Sequence, residues 1–143
     1  MTSVHHFGMT VRDLDETKAF YGKYFDFKGS EDDPTIIDDW FAEGVATEGA
    51  QVRLGWLNRD DAVIELHQYV QPRLDNVLGA KITDIGAPHI AFRVEDLDAM
   101  CDRLEGGGVP FYSRPVEVTK DGSVPELAGV RWVYCVDPNG YIV

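Results

Sequence analysis

Residues 5–15 read HHFGMTVRDLD and residues 88–98 read PHIAFRVEDLD. Aligning His6 with His89 also superposes Val11, Asp13, Leu14 and Asp15 on Val94, Asp96, Leu97 and Asp98, 83 residues on. The unmatched positions stay similar in kind: Phe7 with Ile90, Gly8 with Ala91, Met9 with Phe92. Self-similarity at so long an offset marks a duplicated supersecondary unit, and two copies make a paired module rather than a solenoid. A chain of 143 residues suits one domain built from two such halves. The first half is expected over residues 1–70 and the second over 87–143, with 71–86 as the connection.

Each copy has the same local grammar. Phe7, Met9 and Val11 alternate with Gly8 and Thr10, and Ile90, Phe92 and Val94 alternate with Ala91 and Arg93. Period-two alternation predicts a half-buried strand. A helix should follow each, capped by Asp13 (with Glu16 in capping-box position) and by Asp96. Leu97, Met100, Cys101 and Leu104 fall on one helical stripe, which Gly106-Gly107-Gly108 terminates. Leu14, Tyr21, Tyr24 and Phe25 make a rougher stripe in the first helix. Strands are predicted at Gln51–Leu57 and Ala62–Tyr69 around a turn at Asn58–Asp61. In the second half they are predicted at Val130–Val136 and Tyr141–Val143 around Asp137-Pro138-Asn139-Gly140, a strong turn signal. A short helix is expected at Ile36–Phe41.

The alternation also sorts the faces. His6, Gly8 and Thr10 share one side of their strand, as do His89, Ala91 and Arg93. Small residues beside a histidine leave space. In Val63-Ile64-Glu65-Leu66-His67, Glu65 shares a face with Val63 and His67 and opposes Ile64 and Leu66. A carboxylate in an apolar strand needs a cation, a metal or solvent. Two readings stand here. One is a nitrogen-and-oxygen site for a divalent metal. The other is a pair of hydrogen-bonded strand histidines with a solvated glutamate.

Charge narrows the partners. Asp and Glu number 25 against 13 Lys and Arg, a net charge of −12, which repels phosphate backbones and anionic lipid. Nucleic acid and membrane binding are therefore not expected; a small anionic substrate is not excluded, because a local pocket can differ from the whole surface. The N-terminus shows no charged-then-apolar signal segment and no run approaches a membrane span. A cytoplasmic protein is expected, with Cys101 and Cys135 as core thiols.

His6 followed seven residues on by Asp13-Leu14, then Phe20-Tyr21, together with Ile64-Glu65-Leu66, His89…Asp96-Leu97 and Asp137-Pro138-Asn139-Gly140, resembles the vicinal oxygen chelate superfamily. That group includes glyoxalase I, methylmalonyl-CoA epimerase, fosfomycin and bleomycin resistance proteins, and extradiol dioxygenases. The resemblance covers nearly the whole chain. It implies an α+β fold of two tandem βαβββ modules, curved into an open eight-stranded barrel around one metal. The implied ligands are His6, Glu65 and His89; His5 falls on the wrong strand face. The implied metal is a divalent ion: Ni, Zn, Co, Mn or Fe. The second module's acid would fall at position 144, one past Val143, so a chain trimmed there is expected.

Three functional classes follow from the resemblance. The first is a lyase or isomerase that holds vicinal substrate oxygens on the metal, moves a proton beside a carbonyl and passes through an enediolate. Glu65 would serve this chemistry, with Glu48 as a second base: Thr47-Glu48-Gly49 precedes the strand leading to Glu65, where the epimerases also carry an acid. The second is an iron(II) ring-cleaving dioxygenase with two histidines and one carboxylate. The third is a non-catalytic binding protein of the bleomycin-resistance type, which the presence of His6, Glu65 and His89 counts against. His67 shares the face of Glu65 and could orient a ligand. Arg93 and Trp56 could contact a substrate, but a surface or core role is the better reading for each. Modules of this kind often pair across a homodimer, and open sheet edges need covering, so a homodimer is expected.

Overall fold

The computed structural model describes residues 4–73 and 81–143, so part of the expected connection at 71–86 lies outside the described residues. The chain divides into two compact units between residues 77 and 78.

In the first unit, strand β1 (Phe7–Thr10) leads into helix α1 (Leu14–Phe25). Asp13 caps the helix: its carboxylate accepts the Glu16 N–H at 2.9 Å, satisfying a donor that the first turn leaves unpaired. Asp26 ends it in the left-handed region, φ 56°. The polypeptide then forms β2 (Lys28–Gly29), β3 (Thr35–Ile36), helix α2 (Asp39–Gly44), β4 (Gln51–Arg59) and β5 (Ala62–Gln71). The sheet order is β1-β5-β4-β2, with β3 also on β4. β4 and β5 are antiparallel around Asp60-Asp61, and β1 lies parallel to β5 with Gly8 opposite Glu65.

Helix α1 covers one face of this sheet. Met9, Leu14, Leu57, Ile64 and Leu66 are buried, each contributing roughly 1.5–3 kcal/mol. Gly55 permits the close approach: a Cβ there would stand 2.8 Å from Leu14 Cδ1. Arg53 reaches from β4 to hold Asp15 in the first helical turn through two bonds of 2.8 and 3.1 Å. Lys18 donates to the buried Asp33 at 2.7 Å and to the Ser30 carbonyl at 2.6 Å, and Ser30 Oγ donates to Asp33 at 2.6 Å. On the opposite face, α2 packs Phe41 onto Ala50, Val52 and Tyr69.

In the second unit, Asp96 caps helix α3 (Leu97–Gly106) by accepting the Ala99 N–H at 2.9 Å. The helix buries Cys101 and Leu104 and stops at the glycine run, where Gly108 has φ 78°. Strands β6 (Val116–Glu117) and β7 (Arg131–Trp132) form a two-stranded sheet, with a short 3-10 turn at Pro125–Leu127 between them. Arg131 grips Asp98 through two bonds of 2.7 and 2.8 Å. The two aspartates at matching repeat positions therefore have the same partner type. The Asp137–Gly140 turn closes a hairpin in which Cys135 and Val143 exchange both backbone bonds. Asp137 Oδ1 accepts from the N–H groups of Asn139 and Tyr141, an Asx turn.

Several expectations need correction. The eight-stranded barrel is not seen: the described residues contain seven strands in two separate sheets, neither of them closed. Pro110, Pro115, Pro125, Gly122 and Gly129 interrupt the second unit, removing donors and weakening strands. The strand expected at 89–94 makes one bridge, His89 to Ile142. Burial still alternates there, with Ile90, Phe92 and Val94 half-buried and His89, Ala91 and Arg93 exposed. The strand expected at 130–136 forms only at Arg131–Trp132, with bridges at Cys135 and Val136. The helix expected at Ile36–Phe41 begins three residues later, because Ile36 pairs with Val52 as an edge strand. Among the described residues no helix is long and apolar enough to cross a membrane.

Candidate functional site

The sheet face turned away from α1 carries the ionisable side chains of interest. In parallel register, Gly8 opposes Glu65 and Thr10 opposes His67, so His6, Gly8 and Thr10 share a side with Val63, Glu65 and His67. Across the β4–β5 ladder, Trp56 lies opposite Glu65 and Leu54 opposite His67. The expected sorting of faces holds on β5, where Ile64 and Leu66 are buried and Glu65 and His67 half-buried; on β1 Met9 is buried but Phe7 is exposed.

These residues form one cluster. His6 Nε2 lies 3.3 Å from Glu65 Oε2, and His67 Nε2 lies 3.0 Å from the same oxygen. The Trp56 ring meets His6 edge-on at 5.6 Å between centroids. The space expected beside the histidine is present, since a Cβ placed on Gly8 would meet nothing within 4 Å. The His67 ring stands edge-on to Phe41 and Tyr69, 6.3 Å from each. His5, placed by alternation on the other face, still brings its Nδ1 within 2.8 Å of His6 Nδ1, where one nitrogen donates and the other accepts.

The donor chemistry suits a divalent cation. Two nitrogen or oxygen donors bound about 2.1 Å from one ion stand roughly 3.0–3.4 Å apart for octahedral to tetrahedral angles. The His6–Glu65 separation falls in that range, and the second ring nitrogen of His6 has the outer partner that ligating histidines usually have. Among the described residues, however, no group of three or more His, Cys, Asp and Glu side chains is arranged to hold a metal. The surroundings of the other expected residues differ. His89 belongs to the second unit, exposed, with its ring 5.7 Å from that of Tyr134. Glu48 occupies an exposed turn before Gln51. Gln51 lies five residue steps along β4 from Trp56, the neighbour of Glu65, or about 17 Å. The structure thus does not bring Glu48 to Glu65. Arg93 is exposed in the segment before α3.

Sequence reasoning missed the contact of Trp56 with His6 and the seating of His67 between aromatic rings. Trp56 was recoverable by counting outward from the Asp60-Asp61 turn, which places it opposite Glu65. The Phe41 contact was not, because it depends on where α2 lands.

The glyoxalase/bleomycin resistance protein/dioxygenase superfamily sequence model matches residues 3–143. A 2-epi-5-epi-valiolone epimerase from Actinomyces sp. is 31% identical over an alignment spanning 96% of this chain and 75% of that protein. Among solved structures, a glyoxalase family protein from Bacillus cereus superposes with a TM-score of 0.78 at 18% identity, over 99% of this chain and 91% of that one. A fosfomycin resistance protein from Listeria monocytogenes, complexed with Mn(II) and sulfate, superposes with a TM-score of 0.58 at 16% identity, over 99% and 88%. The last two likenesses concern the fold alone.

Proposed function

Because the chain belongs to the glyoxalase/bleomycin resistance protein/dioxygenase superfamily, we propose that it is a divalent-metal-dependent isomerase that epimerises a small ketone-bearing substrate. The observation that carries this reading is the His6–Glu65 donor pair, 3.3 Å apart, on a sheet face left open by Gly8. The epimerase relative supplies the reaction type: removal of a proton from the carbon beside a ketone and its return on the other side. A polyhydroxylated ring ketone of the kind that relative's name gives is the first substrate to test.

A divalent ion would polarise the ketone oxygen and acidify the adjacent C–H. His6 and Glu65 would hold it. His89 is proposed as a further ligand on the strength of the repeat alone. Trp56 offers an apolar wall beside His6. This reading assigns Glu48 no role.

The test is proton exchange. With Mn(II) and 2-epi-5-epi-valiolone in D2O, proton NMR is expected to show loss of the signal beside the ketone together with the epimer, and His6→Ala is expected to abolish both. Metal binding without exchange would overturn the isomerase reading. Ligand binding by metal-free protein without turnover would assign the chain to the non-catalytic binders. We also propose a homodimer, supported by the exposed Val116 and Trp132 on β6 and β7; a monomeric mass by light scattering would refute it.

A further inference from the structure

We propose that His67 is a positioning residue that fixes the Glu65 carboxylate for the cation, an inference that rests on the metal reading above. Three observations carry it. His67 Nε2 lies 3.0 Å from Glu65 Oε2, within hydrogen-bond reach and nearer than His6 at 3.3 Å. The two residues stand two apart on β5 and share one face, so the contact follows from strand geometry and needs no loop to hold it. Finally, the His67 ring is seated edge-on to both Phe41 and Tyr69, and Phe41 belongs to the buried cluster under α2. The aromatic seat sets the plane of the imidazole, and the imidazole brings Nε2 to 3.0 Å from one carboxylate oxygen.

A glutamate has three side-chain torsions, and a half-buried one samples several carboxylate orientations unless something holds it. A hydrogen bond from His67 Nε2 would fix Oε2 while leaving that oxygen a second lone pair and Oε1 its own. The carboxylate thus keeps acceptor capacity for a cation shared with His6. Outer partners of this kind orient metal-binding carboxylates, and their loss typically costs about 10–100-fold in metal affinity.

The test compares His67→Gln with His67→Leu in the full chain, titrating Mn(II) by calorimetry and following the visible absorption of bound Co(II). Gln keeps an amide N–H donor; Leu keeps bulk and loses the donor. Wild-type and His67→Gln affinities are expected to agree within about threefold, with the same Co(II) band, while His67→Leu binds about 10–100-fold more weakly with a shifted band. Equal affinity in all three proteins would overturn the proposal while leaving the metal reading intact. Loss of all binding in both variants would also overturn it, by making His67 a ligand. Failure of the wild type itself to bind Mn(II) or Co(II), with the metal-free melting curve unchanged, would defeat the metal reading and this inference with it. Metal-free melting temperatures of the two variants separate the roles, since a purely structural His67 would lower both melting temperatures and affinities together.

Discussion

Gly8→Val should push stability and function in opposite directions. Glycine inside a strand costs about 0.5–1 kcal/mol relative to alanine, and β-branched residues favour strands further. A Cβ on Gly8 meets nothing within 4 Å and the backbone is not in the left-handed region, so the added side chain has room. For a chain of this size, a gain of about 1 kcal/mol raises the melting temperature by roughly 3–5 °C. That room is the space beside Glu65, its register partner, flanked by His6 and Thr10. Metal at one hundred times its Kd stabilises the native state by about 2.7 kcal/mol, a rise of roughly 10 °C in the wild type. In Gly8→Val the metal-free melt should move up by a few degrees and the metal-dependent rise should fall below about half its wild-type size. Gly8→Ala, with a single methyl, should keep most of the metal effect. Scanning calorimetry with and without Mn(II) reads both quantities. A metal-free melt lowered by several degrees would show that this face is packed rather than open, and an undiminished metal-dependent rise would place the cation elsewhere.

The scaffold should respond differently. Gly55→Ala drives a methyl to within 2.8–2.9 Å of Leu14 and Asp33 and should cost about 1–3 kcal/mol in urea denaturation. Asp33→Asn should cost about 2–3 kcal/mol, below the usual range for breaking a buried pair, because Lys18 keeps the Ser30 carbonyl and Arg53 keeps Asp15. Burial pushes the Asp33 carboxyl up, but hydrogen bonds from Lys18 and Ser30 and the charges of Lys18 and Arg53 hold it below its ordinary value. Its stabilisation is therefore present above the unfolded value and lost as pH falls through the folded one, and acid titration of Asp33→Asn should show a shallower loss. Burial pushes the Cys135 thiol up to about 11. The native state then holds a proton that the unfolded state releases from about pH 9, so stability should fall between about pH 9 and 11 by no more than about 2 kcal/mol. Cys135→Ser should flatten that alkaline limb in urea melts.

What was legible in the sequence divides by the range of the interaction. Asp13 and Asp96 cap their helices as the repeat predicts, because a cap is settled within three residues. Asp15 and Asp98 match as well, yet their roles needed the structure: each is gripped by a strand arginine, Arg53 in one unit and Arg131 in the other. Those arginines do not share the repeat's offset, since the loops between helix and strand differ in length, and an alignment anchored on the histidines passes over them. The Lys18–Asp33 pair was invisible for the same reason.

The second copy of the repeat shows where periodicity stops being informative. Ile90, Phe92 and Val94 are half-buried and His89, Ala91 and Arg93 exposed, as alternation predicts, but only His89 pairs, with Ile142. Alternating burial requires one apolar surface to lie against. A ladder requires a second backbone in register, and nothing in a period of two specifies that partner. In the first copy β5 supplies it over four residues. In the second, the bridge register places Ile142 where Val63 would stand opposite His6, and Val143 where Ile64 stands. The faces were readable from residues 89–94 alone. The pairing was not, because it depends on backbone that those residues do not contain.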